Sequence, residues 1–186
     1  MDAREIRKKA DELTKTAETS LHEGKREHAL TVYTELLGLF GSLRDRTAQA
    51  RTLNNIGLLQ SRMDRYEEAL KSFREALGIF EELEKPLHAA EQWGNIGSVY
   101  RDLKDYDEAL ESYNRALPLY EKLGHDEGMA DQYTNMAYAY VMKNRPAEAL
   151  SWYKRALPLY EKSGADRKAE VTRQNVQNLE GGCCGG

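Results

Sequence analysis

Four asparagines, Asn55, Asn95, Asn135 and Asn175, stand 40 residues apart along a chain of 186. A carboxamide carries both a donor and an acceptor, which matches the N–H and C=O groups that an extended polypeptide leaves unpaired. Asparagine is also a poor helix former, so its repeated use inside a helical pattern costs stability and calls for a reason. Layers of packed helices lie ~10 Å apart and an extended chain advances ~3.3 Å per residue, so one asparagine per layer would meet about every third residue of a bound segment. Two roles stay open: bonding to one another or to the adjoining layer, and gripping a partner's backbone. The second uses both ends of the amide and is the favoured reading.

No other residues assemble a reactive centre. His22, His28, His88 and His125 fall in different registers, and none pairs with a second ligand at the i, i+4 spacing of a zinc site. Phosphate-cradling glycine loops, dinucleotide fingerprints and nucleophile elbows are missing from the sequence. Cys183 and Cys184 sit side by side in the tail LEGGCCGG. Soft-metal capture, lipid attachment, an intermolecular disulfide and a mere engineered or truncated remnant are its open readings. The tail, 181–186, is expected to be an unstructured end with free thiols. The chain is therefore expected to hold no metal or cofactor and not to be an enzyme.

The elements that must carry the asparagines follow from a repeat. Ala29, Ala69, Ala109 and Ala149 fall in step, as do Leu30, Leu70, Leu110 and Leu150, and the aromatics Tyr33, Phe73, Tyr113 and Tyr153. Phe40, Phe80, Tyr120 and Tyr160 form another such row. A fixed period of this size means one supersecondary unit stacked on itself, each copy touching its neighbours. Within a copy the apolar positions recur at three and four residues, the helical period, and strand signals are absent. The pattern predicts nine helices, at about 2–23, 26–42, 46–63, 66–82, 86–103, 106–122, 126–143, 146–162 and 166–180. Ala17, Gly57, Gly97 and Ala137 are expected where the first helix of a copy meets the second closely. Gly38, Gly78, Pro118 and Pro158 share one place in the second helix and predict a bend there.

Trp93-x-x-Ile96-Gly97-x-x-Tyr100 followed by Ala109-x-x-x-Tyr113 resembles the tetratricopeptide repeat (TPR) signature, and Leu53/Ile56/Gly57 and Tyr133/Met136/Ala137/Tyr140 repeat it. The spacing is longer than the usual 34 and is similar to that of the subgroup found in kinesin light chains, spindle-orientation adaptors and prokaryotic signalling proteins. The resemblance implies an all-α, right-handed superhelical solenoid. Four helix-turn-helix repeats, about 11–50, 51–90, 91–130 and 131–170, would form one domain over 1–180, closed by a capping helix at 166–180. In the first copy Thr16 and Ser20 replace apolar residues, so its outer face is expected to meet water.

In the proteins resembled, a ladder of asparagines on the concave wall of first helices holds the target's backbone. Around that ladder the wall is expected to show Arg51, Asn54, Leu58 and Arg62, then Glu91, Ser98, Arg101 and Asp102, then Asp131, Thr134, Tyr138, Val141 and Met142. The mixture suits an extended segment with an acidic stretch at one end and an apolar anchor at the other. Lys15 is the sole lysine in the asparagine register, so the carboxylate clamp of co-chaperone relatives is expected to be absent.

The implied function is a protein-interaction scaffold that binds an extended or helical segment of a partner in its groove. The alternatives are a self-association module, with a homodimer formed through the C-terminal end or Trp152, and a regulatory fragment of a larger signalling protein or enzyme. Net charge is −4 with acidic and basic residues interspersed, which argues against nucleic acid or an anionic membrane as partner. No apolar run approaches a membrane span and the N-terminus lacks a signal-peptide stretch, so a cytoplasmic address is expected.

Overall fold

The computed structural model describes residues 2–182, and the cysteine pair at 183 and 184 lies outside them. Among the described residues the chain forms nine α-helices: α1 (Ala3–His22), α2 (Arg26–Ser42), α3 (Arg46–Ser61), α4 (Tyr66–Glu82), α5 (Pro86–Asp102), α6 (Tyr106–Leu123), α7 (Asp126–Met142), α8 (Pro146–Ser163) and α9 (Asp166–Gly182). The all-α expectation holds. They divide into two compact units, one holding α1–α4 up to Lys85 and the other α5–α9 from Pro86. No described helix is long and apolar enough to cross a membrane.

Starts and stops of the helices have local causes. Asp2 and Glu5 form a capping box on α1, each accepting the other's backbone N–H at 2.8 Å. Asp45 caps α3 through Ala48 N–H at 2.9 Å, and α8 opens on Pro146, whose missing N–H has no intrahelical partner there. The ends are more uniform than the starts. A left-handed residue follows every helix from α1 to α8, at positions 24, 44, 64, 84, 104, 124, 144 and 164, each 20 after the last. The N–H of the next residue reaches back to a carbonyl five earlier, as in Lys25 to Ser20, Arg65 to Gln60 and Lys85 to Phe80, all at 2.8–2.9 Å. This Schellman closure satisfies carbonyls that a helix end leaves open. Glycine fills it at 24, 124 and 164, but Arg44, Asp64, Glu84, Lys104 and Asn144 hold φ of 52–64° with a full side chain.

Within the first unit α3 packs on α4 across Gly57. A Cβ on that glycine would stand 2.7 Å from the ring of buried Phe73. In the second unit α5 packs on α6 across Gly97, where a Cβ would stand 2.5 Å from the ring of Tyr113. The equivalent Ala17 and Ala137 are wholly buried, as are Ala29, Ala69, Ala109 and Ala149. Small residues thus let one large ring per hairpin cross the helix interface, which sets the close approach of the axes. At Gly38 and Gly78 a Cβ would meet nothing within 4 Å, and exposed Pro118 and Pro158 lie inside uninterrupted helices. Close packing does not require those four residues.

One expectation fails at the first repeat. Thr16 is exposed, but Ser20 is only 4% exposed, its hydroxyl against Thr16 O at 2.8 Å and His28 Nδ1 at 2.7 Å. Its partner comes from α2, so the hydroxyl is consumed inside the hairpin. At the other end α9 covers the last layer: Ala169 and Thr172 are buried, and Val176 and Leu179 pack on the cluster of Ala137, Ala149 and Tyr153. Trp152 joins the same cluster, its ring 5.3 Å from that of Tyr133 and 4.3 Å from the Arg155 guanidinium.

Gly57→Ala and Gly97→Ala push a methyl into a buried ring and lower stability by ~1–3 kcal/mol, whereas Gly38→Ala and Gly78→Ala gain helix propensity and raise it by ~0.5–1 kcal/mol. Chemical denaturation of the four variants reads the contrast directly. Glu84→Gly relieves a left-handed side chain worth ~1–2 kcal/mol, partly offset by the freer unfolded glycine. It therefore raises the melting temperature by a few degrees, while Gly24→Ala lowers it.

Candidate functional site

The first helices of the second unit, α5, α7 and α9, wall a cleft of about 620 Å³, with Tyr120 of α6 and Tyr160 of α8 also lining it. Helical spacing brings Glu91, Gly94, Asn95 and Ser98 of α5 to one side, and Asp131, Gln132, Thr134 and Asn135 of α7 opposite. From α9 come Arg167, Lys168, Val171 and Thr172.

Local sequence explains how the two tyrosines reach the cleft. α7 carries Gly128 in its first turn, where a Cβ would stand 2.5 Å from the Tyr120 ring. The same glycine's N–H is capped by His125 Nδ1 at 2.9 Å, with the His125 and Tyr120 rings 5.4 Å apart. One repeat later the equivalent residue is Lys168, whose ammonium sits 5.6 Å from the Tyr160 ring. Lys168 Nζ donates to both oxygens of Asp131 at 2.8 and 2.9 Å and to Glu127 Oε1 at 2.9 Å. Tyr160 donates its hydroxyl proton to Asp131 Oδ1 at 2.7 Å, and Thr134 Oγ1 lies 3.2 Å from the same phenol.

This network has electrostatic consequences. Burial pushes Tyr120 up to about 12, and the negative charges of Glu91 and Asp131 add to it. Tyr160 is raised as well, by burial first and then by its bond to Asp131 and the charges of Asp131 and Glu127. Partial burial opposes the charge on Lys168, yet its bonds to Asp131 and Glu127 outweigh this and raise it. The same Lys168 bond lowers Glu127. The cleft therefore keeps neutral phenols and a satisfied ion cluster, a wall of fixed hydrogen-bonding groups.

Of the residues the sequence singled out, Glu91, Asn95, Ser98, Asp131, Thr134 and Asn135 meet in this cleft. Asn95, Ser98 and Asn135 are half-buried. Asn135 makes no hydrogen bond to another described residue, and neither does Asn175, which is half-buried on α9 but lies outside the cleft lining. Asn95 does have a partner. Toward the C-terminal ends of α5 and α7, Arg101 donates to Asp102 at 2.9–3.0 Å and its guanidinium lies 5.8 Å from the Tyr138 ring. Tyr138 and Met142 are 44% and 47% exposed and share a helix face with exposed Val141. In the first unit Arg51, Asn55, Leu58 and Arg62 follow one another at three and four residues along α3, Arg62 being its C-cap. Asn55 and Leu58 are half-buried and the two arginines exposed.

Sequence reasoning placed Asp131 on this wall but missed Gln132, Gly94 and the partners Tyr160 and Lys168 that bond to Asp131. Gln132 had a signal: glutamine recurs 40 residues apart at Gln92 and Gln132 inside apolar patterns, and both are buried. Among the described residues no group of three or more His, Cys, Asp or Glu is placed to hold a metal ion.

Family comparison assigns tetratricopeptide repeats to residues 13–82 and 89–162, and a second such match covers 54–123. BtubC (BKLC) from P. vanneervenii shares the fold with a TM-score of 0.72 at 19% identity, over 99% of this chain and 89% of that one. The apo form of RapI gives a TM-score of 0.81 at 17% identity over 89% of this chain, which spans 46% of RapI. The search of curated proteins found no match. With both repeat matches falling on the helix pairs described above, the chain belongs to the tetratricopeptide repeat family.

Proposed function

We propose that this repeat scaffold holds an extended segment of a partner protein on the face formed by α5, α7 and α9, with asparagine carboxamides gripping the segment's backbone. The observation that carries the reading is Asn135. It stands half-buried in an open cleft beside Asn95, and its amide is bound to no described residue. A mid-helix asparagine without a structural partner costs the helix ~0.5 kcal/mol relative to alanine, a cost that binding would explain. Asn175 continues the same register on α9.

The exposed Tyr138, Val141 and Met142 offer an apolar anchor further along α7, with Arg101 beside it for an acidic neighbour. Asn55, Arg51, Leu58 and Arg62 give the first unit a similar face on α3. Preorganisation supplies the affinity: the helices stay fixed and the bound segment alone loses conformational freedom. Self-association through Trp152 is disfavoured, since that ring is packed against Tyr133, Arg155 and the cluster beneath α9.

The test pairs capture with stability. Partners retained from the native lysate by the intact chain should bind Asn95→Ala/Asn135→Ala about tenfold less, the loss expected for two hydrogen bonds of ~0.5–1.5 kcal/mol each. Asn135→Ala alone should melt no lower than the parent. Equal retention by parent and double variant would remove the asparagine reading.

A further inference from the structure

The asparagines would read a backbone, which carries no sequence information, so selectivity must come from elsewhere on the same face. The cleft holds a group suited to it. Gln132 is 4% exposed, and its Oε1 is buried without a hydrogen-bond partner among the described residues. Its Nε2 makes a long bond of 3.4 Å to Gly128 O. Directly across lies Gly94, where a Cβ would stand 3.3 Å from that Oε1. The corresponding residues in the other copies are Thr14, Asn54, Thr134 and Gln174, so the third copy alone carries no side chain here, and the Gln132 amide lies in the notch this leaves in the cleft wall. A buried acceptor without a donor carries a desolvation cost that is recovered when a donor arrives.

We propose that this notch is a socket for a neutral carboxamide side chain, an asparagine or glutamine of the bound segment, and that it sets the sequence preference of the groove. The inference rests on the groove reading above. The lining argues for a neutral occupant. Its carboxylates, Glu91 and Asp131, are matched by two cations, Arg167 and Lys168, and Asp131 is already bonded to Lys168 and Tyr160. Glu91 shares a hydrogen bond of 2.9 Å with His88 Nδ1. No net charge remains to compensate a buried ion, which would bear the full cost of desolvation.

Near the notch the groups are amphoteric amides, Asn95, Gln132 and Asn135, with the hydroxyls of Ser98 and Thr134. A carboxamide complements them on both sides: its N–H donates to Gln132 Oε1, turned about its terminal torsion, and its C=O accepts from Asn135 Nδ2. A site built to meet a hydrogen-bonding group rejects analogues that lack it far more strongly than an apolar pocket rejects a wrong shape.

The experiment is a selection of random peptides displayed on phage against the full chain and against Gln132→Thr, which installs the residue that the chain itself carries at Thr52 and Thr172. Peptides selected by the parent should share an asparagine or glutamine at one position. Replacing it by leucine or by glutamate in a synthetic peptide should weaken binding at least about tenfold on the parent and less than about threefold on Gln132→Thr. A shared basic, acidic or apolar residue in place of the carboxamide would overturn the socket while leaving the groove intact, and so would an equal loss on both proteins. Failure to select any peptide on the parent would overturn the groove reading, and the socket with it. Circular dichroism and melting of Gln132→Thr establish that the comparison is between folded proteins.

Discussion

The constraint on which the structure depends is the crossing of one aromatic ring over one small residue in each helix pair. Phe73 lies over Gly57 and Tyr113 over Gly97 at distances that leave no room for a methyl group. Ala17 and Ala137 serve the equivalent interfaces of the first and fourth pairs, where the rings are Tyr33 and Tyr153. Because this contact fixes each hairpin from inside, the opposite face of the first helix is not needed for packing. That face is where half-buried asparagines, an exposed tyrosine and an exposed methionine stand. Within a single helix the core thus takes one side, and the other side is left for the proposed binding face.

Stability and the proposed binding draw on different parts of the repeat. The Schellman closures every 20 residues end the helices at fixed points, even where Glu84 or Arg44 must adopt a left-handed backbone to do so. Uniform helix length keeps equivalent residues in the same register, and the register places Asn95 and Asn135 in one cleft. The ion cluster of Lys168, Asp131 and Glu127, with Tyr160 bonded to Asp131, then joins α9 to α7 and α8 and completes the third wall. A terminal helix that the sequence marks as a cap thereby also lines the cleft.

Much of this was legible in the residues. The helix bounds agree to within a residue or two because several positions restate them in every copy. α3 ends at Ser61 rather than 63 because Arg62 and Met63 enter the turn that Asp64 closes. The small-residue positions were legible too, since a ring that recurs in every copy can cross a close helix pair only over glycine or alanine. The left-handed closures were not, because arginine, glutamate and lysine give no sign of such a backbone. Ser20 was misread because its partner His28 arrives from the next helix, a tertiary fact. For the same reason the cleft's wall was invisible: Tyr160 meets Asp131 across 29 residues and Lys168 meets it across 37. Asn135 was singled out from its spacing, but only the fold shows that its amide makes no hydrogen bond to another described residue.

The central claim is that the asparagine side chains meet the partner directly, and side-chain amide resonances report this most closely. With the partner segment titrated into isotope-labelled protein, the account predicts that the NH₂ signals of Asn95 and Asn135 shift to saturation while that of exposed Asn114 on α6 stays in place. Saturable binding that leaves the Asn95 and Asn135 signals unmoved would contradict it.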